Sequence, residues 1–359
     1  MIHAVIMVGG SGTRLWPVSR RKAPKQTMRI GGSDTLLGAS YARGAAAAGP
    51  DGTVMFVATA ELASVIRAHV PGLEADSLIL EPEGRDTAAC IGLAAVHVRR
   101  RDPDGVMLVL PADHLIAPLE RFVEVARTAA EVADRERCLV TIGVKPRHPA
   151  TGLGYIQRGE ALEPRTAVPA YRVRGFKEKP NAATARAYVE SGEYYWNSGI
   201  FAWRADVILA EMERHLPKHH ECLQKIACAL DDGGGDKISC EVYGCIPRIS
   251  IDFGIMEKAQ ALAVVEADFS WDDVGSWTAY AQHVRRDADG NAVDGSFVGV
   301  DARDNIIVAP KGKMVTAVGL EEHVVIDTPD ALFICPRSRD QDVKKIVEKL
   351  REMGRADLL

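Results

Sequence analysis

Val8 to Gln26 reads VGGSGTRLWPVSRRKAPKQ, with three glycines, five Lys/Arg residues and no carboxylate. Glycines let backbone N–H groups close on phosphate oxygens and form an anion nest. Arg14 and Lys25 add full positive charges, so this mixture points to a polyphosphate ligand. A Walker A loop needs Gly-Lys-Ser/Thr, and here Gly12 is followed by Thr13 and Arg14. A dinucleotide fingerprint needs a third glycine where Leu15 stands. What remains is a longer loop, with Gly9, Gly10, Ser11, Gly12 and Thr13 first and the cations later. For a lone GGxG, a turn with solvated basic residues is the plainer alternative. The ordered series Arg14, Pro17, Pro24, Lys25 behind a strand is more specific.

Other stretches end apolar runs with polar groups. In MLVLPADHLI (107–116) an apolar run feeds Asp113. A carboxylate there is well placed to hold a hard divalent cation, with a turn or cap aspartate as the even alternative. His114 reads as local scaffolding. In EPEGRDTAAC (81–90), Asp86 also suits a helix N-cap. The Glu178–Lys179 pair of GFKEKP (175–180) reads in isolation as a solvated pair before proline. Asn197 in WNSGIF (196–201) has an amide able to donate to and accept from hydroxyls. Asp252-Phe253-Gly254 mimics a kinase triplet, but no His-Arg-Asp loop precedes it. Trp271 and Trp277 read as packing residues.

The first loop resembles the signature of the sugar-nucleotide pyrophosphorylases, a nucleotidyltransferase family. Its Leu-Trp-Pro-x-Ser-Arg continuation favours the branch that joins GTP to mannose 1-phosphate, and the likeness runs over roughly residues 3–350. The resemblance implies that Arg14 and Lys25 are catalytic. It assigns Gly9 to Thr13 with Glu81, Arg85, Asp86 and Thr87 to the nucleotide, Asp86 standing where asparagine is usual. It assigns Gly154, Glu178, Lys179 and Asn197 to the sugar phosphate. Asp113 and Asp273, the aspartate before Val-Gly-x-Trp, would hold Mg2+ or another divalent cation. The implied reaction is metal-assisted in-line transfer from GTP to mannose 1-phosphate, giving GDP-mannose and diphosphate. Asp86 keeps open another base or another sugar, such as glucose 1-phosphate. A non-catalytic regulatory paralogue is a further reading, against which Arg14, Lys25, Asp113, Lys179 and Asp273 stand together.

Positioning these groups requires a scaffold. AVIMV (4–8), VMFVA (54–58), MLVL (107–110) and LVTIG (139–143) read as buried strands, and Glu61–His69 and Phe122–Ala133 carry helical spacing. The alternation, with the resemblance, implies an α/β fold: a Rossmann-like mixed, mainly parallel sheet flanked by helices. The polar stretch 285–291 divides a catalytic domain, 1–285, from a small β-rich, β-helix-like unit, 286–359, that ends in a packing helix over 341–353. No internal repeat stands out, and DDGGGD (231–236) reads as a short flexible loop.

The net charge of −5 argues against nucleic-acid binding. Seven cysteines without a CxxC read as reduced, mostly buried thiols. No run approaches the roughly 20 apolar residues of a membrane span, and no signal peptide fits before Gly9. The expectation is a cytoplasmic protein without membrane or nucleic-acid partners, with the β unit as the candidate contact of a homodimer.

Overall fold

The apolar runs become strands because their Val, Ile and Leu side chains fill both faces of a covered sheet. The computed structural model describes residues 1–10, 12–32, 34–163, 166–231 and 240–359, so Ser11 and residues 232–236 of the DDGGGD stretch lie outside the described residues. Two compact units form, neither contiguous in sequence. Met1–Gly9, Ser40–Ala112 and Ile116–Trp271 make one; Gly10–Ala39, Asp113–Leu115 and Asp272–Leu359 make the other.

The first unit holds a nine-stranded sheet. Its order is Leu78–Glu81, Thr53–Thr59, Ile2–Val8, Val106–Pro111, Tyr194–Arg204, Leu139–Val144, Leu262–Ala267, Ala170–Lys177, Tyr155–Ala161. Ile2–Val8 pairs in parallel with Thr53–Thr59 and Val106–Pro111, setting Ala4 opposite Val54 and Leu108. Only Tyr194–Arg204 and Ala170–Lys177 run against the rest, so the sheet is mixed and mainly parallel, as expected. WNSGIF lies inside Tyr194–Arg204, which makes that motif part of the sheet's interior. The helix Asp86–Arg101 buries an almost continuous run from Ala88 to Val96. Leu119–Glu136 buries Phe122, Val125, Ala126 and Ala129, the face its spacing predicts.

In the second unit the strands Ala292–Asp294, Ile306–Val308 and His323–Asp327 stack in parallel register, and Leu332–Pro336 closes the last rung antiparallel. Ser296–Val300 and Met314–Val318 form a second parallel pair. Each rung of the first stack is preceded by a left-handed residue: Gly290, Asp304 and Glu322. Buried amides then link the corners. Asn305 Nδ2 donates to Asn291 Oδ1 at 2.9 Å, and the His323 N–H donates to Asn305 Oδ1 at 2.9 Å. Such pairing is what lets polar groups be buried at a corner. The terminal helix Val343–Glu352 lays Val343 and Val347 into a cluster with Leu15, Trp16, Ile30, Val274 and Trp277. Trp277 Nε1 donates to Trp16 O at 3.1 Å, and Trp16 Nε1 to Leu358 O at 2.8 Å.

Trp271 and Trp277 are both buried, as packing residues should be. The cysteines are free thiols, but the expectation of general burial fails: Cys228, Cys240 and Cys245 are exposed. Among the described residues no helix is long and apolar enough to cross a membrane.

Candidate active site

The second unit gathers the loop cations and the two aspartates. Gly12 has φ +57°, and a Cβ there would lie 2.5 Å from Ser19 Oγ and 2.7 Å from Lys25 Cβ. Only glycine lets the loop fold back this closely onto Lys25. Gly9 and Gly10 are exposed, and a Cβ on either would meet nothing within 4 Å. Thr13 opens the single turn Thr13–Leu15 that carries Arg14.

Lys25, buried in the turn Lys25–Thr27, donates from Nζ to Asp113 Oδ2 at 2.8 Å and to the backbone carbonyl of Asp273. Burial pushes the Asp113 carboxyl up, but the Lys25 ammonium and His114 outweigh it and hold the group below the usual carboxylate range. His114 Nε2 lies 4.0 Å from Asp113 Oδ1. At Gly275, a Cβ would fall 2.9 Å from both Asp273 Oδ2 and Arg14 Nη1, so the missing side chain leaves room for the two groups to flank one spot. Arg14 is exposed and donates from Nη1 to Gly275 O at 3.4 Å. Asp272, the rival carboxylate, is committed elsewhere: it accepts from the Val274 N–H at 2.7 Å and pairs with His283 Nε2 at 2.8 Å. Of the remaining loop cations, Arg20 is tied to Asp330 at 2.5 and 2.7 Å.

Two aspartates at this cluster supply hard oxygen donors, which suits a divalent cation that takes its other ligands from phosphates and water. Among the described residues no group of three or more His, Cys, Asp or Glu that could hold a metal occurs, so an ion here would rely on phosphates and water for its other ligands. The residues present therefore fit such an ion.

The first unit holds the residues assigned to the sugar. Glu178 is buried, and its Oε1 pairs with Lys179 Nζ at 2.7 Å. Lys179 is more than half exposed and sits at φ +46°, in the left-handed region that non-glycine residues occupy uncommonly. A Cβ on Gly154 would overlap Glu178 Oε2, so only glycine fits beneath that carboxylate. The Asn197 N–H donates to Gly154 O at 2.8 Å. Asn197 Oδ1 accepts from Thr141 Oγ1 at 2.9 Å and from the Gly199 N–H at 3.2 Å. Its Nδ2 donates to Asp252 Oδ1 at 2.9 Å. The side-chain oxygen is thus taken, and the amide expected to work both ways has only donation left. Asp252 and Glu257, which accepts the Glu178 N–H at 3.0 Å, were not singled out from sequence. Their signal is the DFGIMEKA stretch (252–259), which completes the set of sugar-phosphate motifs in the resemblance but singles out neither residue.

The residues assigned to the base also lie in the first unit. Glu81 is buried and accepts from the Tyr243 hydroxyl. Burial pushes its carboxyl up to about 7, although the tyrosine hydrogen bond pulls the other way. Arg85 donates to Glu83 Oε1 at 2.5 Å and to Ile246 O at 3.2 Å. Asp86 is exposed at φ +67° and accepts the N–H of Thr87 at 2.7 Å, the adjacent residue, rather than a donor further into the helix as an N-cap does. Thr87 Oγ1 accepts the Ile251 N–H at 2.8 Å and so ties the helix start to that segment. A cavity of about 1030 Å³ in the same unit, lined by Arg67, Arg99, Arg100, Ile79 and Leu223 among others, contains none of these residues.

A glycine-rich loop, a buried lysine held by Asp113 and the Asp273 carbonyl, and a mainly parallel α/β sheet are the features of a nucleotidyltransferase. The chain belongs to the nucleotidyl transferase family, which it matches over residues 3–290. Residues 295–350 match the MannoseP isomerase/GMP-like beta-helix domain, in agreement with the stacked rungs. More particularly, the chain is 40% identical to a mannose-1-phosphate guanylyltransferase of Klebsiella pneumoniae, across 99% of this chain and 75% of that one. It is 38% identical to the enzyme of that name from Escherichia coli K12, across 99% and 74%. A solved Thermus thermophilus structure described as mannose-1-phosphate geranyltransferase superposes with a TM-score of 0.85 at 35% identity, covering 98% of this chain and 99% of that one.

Proposed function

We propose that this chain is a mannose-1-phosphate guanylyltransferase, converting GTP and α-D-mannose 1-phosphate to GDP-mannose and diphosphate. The observation that carries the reaction class is Lys25 Nζ held between Asp113 Oδ2 and the Asp273 carbonyl. The choice of guanine and mannose rests on the full-length relatives bearing that name.

In the proposed reaction an oxygen of the sugar phosphate attacks the α-phosphorus of GTP. The bond from that phosphorus to the bridging oxygen breaks, and diphosphate leaves with the electron pair. Two anions must meet, so positioning and charge neutralisation supply most of the acceleration. Arg14 and Lys25 neutralise the transferred and departing phosphoryl groups. Asp113 and Asp273 would hold Mg2+, which when bound polarises phosphoryl oxygens. Lys179 neutralises the sugar phosphate, Glu178 accepts from its hydroxyls, and Asn197 donates to them. Glu81, Arg85, Asp86 and Thr87 serve the guanine end, and Gly9 to Thr13 the triphosphate. A cytoplasmic location and a homodimeric state belong to the same proposal, the latter checked by sedimentation velocity.

The test is diphosphate release from each of four nucleoside triphosphates against a panel of sugar 1-phosphates. GTP with mannose 1-phosphate should give the highest kcat/KM. Faster turnover of another pair, such as UTP with glucose 1-phosphate, overturns the substrate choice and leaves the reaction class standing. Absence of release from every pair overturns both.

A further inference from the structure

The cavity of about 1030 Å³ in the first unit is lined by none of the residues assigned to the reaction. Its size is far beyond the needs of an inorganic anion and matches the upper range of small-molecule sites. The floor is aliphatic, with Ile79, Val96 and Leu223 buried beneath it. The rim is cationic. Arg67 comes from the last turn of the helix Ala60–His69, and Arg99, Arg100 and Arg101 from the last turn of Asp86–Arg101. Two carboxylates, Asp76 and Asp231, belong to the described lining. Asp231 is committed to Arg100, which donates to it from Nε at 2.7 Å and from Nη2 to Leu230 O at 2.8 Å. Among the described residues Arg67, Arg99 and Arg101 form no salt bridge, and all three are exposed. A helix C-terminus carries roughly half a negative charge, which a single arginine offsets. Three arginines in succession at one such end, with Arg67 added from another helix, leave an excess of positive charge on a chain whose net charge is −5.

We propose that this cavity is a nucleotide-binding site separate from the catalytic one: Arg67, Arg99 and Arg101 take the phosphates of a nucleoside diphosphate or its sugar conjugate, and the nucleoside lies over the aliphatic floor. Guanidinium groups match phosphate oxygens with a planar fork and stack on flat bases. Gln224, also in the lining, can both donate to and accept from a base edge or a hydroxyl. An alkyl phosphate calls for an apolar lining throughout, which Gln224, Asp76 and His97 interrupt. The site is remote from the residues assigned to the catalytic base. Asp86 and Arg101 end the same helix, about 22 Å apart at 1.5 Å per residue. The proposal goes beyond the catalytic reading, because it asserts binding and not turnover.

The test is equilibrium dialysis with radiolabelled GDP, comparing wild type with the double variant Arg67→Ala, Arg99→Ala. Wild type should bind one more equivalent of GDP per chain than the variant. Affinity at the altered site should fall about 100-fold or more, the scale of two hydrogen bonds to charged groups. The variant's initial rate of diphosphate release and its KM for GTP should stay within about twofold of wild type, as for substitutions outside the catalytic machinery. Equal numbers of equivalents in the two proteins overturn the proposal. A matching loss of turnover would place the arginines in the catalytic site and overturn it as well. Unlabelled GDP-mannose should displace the extra equivalent. Equal displacement by inorganic diphosphate, or better displacement by decyl phosphate, overturns the nucleotide assignment. Should wild type catalyse no transfer, the catalytic reading fails separately, and the difference of one equivalent still decides this proposal.

Discussion

Asp113 and Asp252 are the same side chain under opposite electrostatic regimes. Asp113 faces an ammonium, and the attraction outweighs partial desolvation and holds its carboxyl below the ordinary range. Asp252 faces another carboxylate, and burial with that repulsion lifts it to about 6. The first arrangement keeps a permanent negative charge beside a cation, which suits metal and phosphate chemistry. The second concentrates hydrogen-bond acceptors, which suits the hydroxyl groups of a sugar, with Lys179 beside them for a phosphate. In both regions a glycine makes the arrangement sterically feasible: Gly275 beside Asp273 and Arg14, and Gly154 beneath Glu178. The division predicts that damage in one region changes turnover and metal use, and damage in the other changes only sugar affinity.

The largest effect belongs to Lys25. Lys25→Ala removes the buried ammonium of the aspartate cluster and should lower kcat by about 10²–10³-fold, the scale of losing a preorganised charge on a transferring phosphoryl group. Circular dichroism should report an intact fold, because Asp113 keeps solvent contact through its part-exposed side chain. Near-normal turnover would break the comparison outright. Next comes Asp273→Asn, which should raise the magnesium concentration for half-maximal activity by about tenfold, within the range seen when a site loses a supporting group. An unchanged magnesium titration would remove Asp273 from the metal.

The glycine pair sharpens the contrast. Gly275→Ala puts a methyl 2.9 Å from Asp273 Oδ2 and from Arg14 Nη1 and should depress kcat. Gly154→Ala drives one into Glu178 Oε2 and should raise the sugar KM while sparing the KM for GTP. Each effect should be about tenfold, on the order of one displaced charged contact. If the two variants share one kinetic signature, the division of labour is wrong.

Much of this was legible before any coordinates. The strands Ile2–Val8 and Val106–Pro111 showed as aliphatic runs, and the loop carrying Arg14 and Lys25 showed as a contiguous pattern. Contiguity is what made them readable. Glu178, Asn197 and Asp252 come from separate stretches, and the saturation of the Asn197 oxygen depends on Thr141, 56 residues away. No local pattern encodes that. The two compact units were equally hidden, since Gly10–Ala39 groups with the distant stretch Asp272–Leu359. The rungs did leave a trace, a left-handed residue before Asn291, Asn305 and His323, but three short and unlike copies do not stand out as a repeat.

Glu81 gives the smallest effect, and it reads the same contrast through stability. Its carboxyl rises from an ordinary 4.5 to about 7 in the fold, chiefly by burial. Between those values the folded chain binds more protons than the unfolded one, so stability falls as pH rises. The favourable contribution is complete below 4.5 and is lost as pH passes the folded value near 7. Glu81→Gln removes this dependence and keeps an oxygen able to accept from Tyr243. Its melting temperature should match wild type near pH 5 and exceed it at pH 8 by about 2–3 °C, the shift expected for roughly 2 kcal/mol in a chain of this size. Differential scanning calorimetry at the two pH values measures the difference. A gap independent of pH would mean that Glu81 is already ionised in the folded protein, stabilised by the Tyr243 hydroxyl as Asp113 is by Lys25.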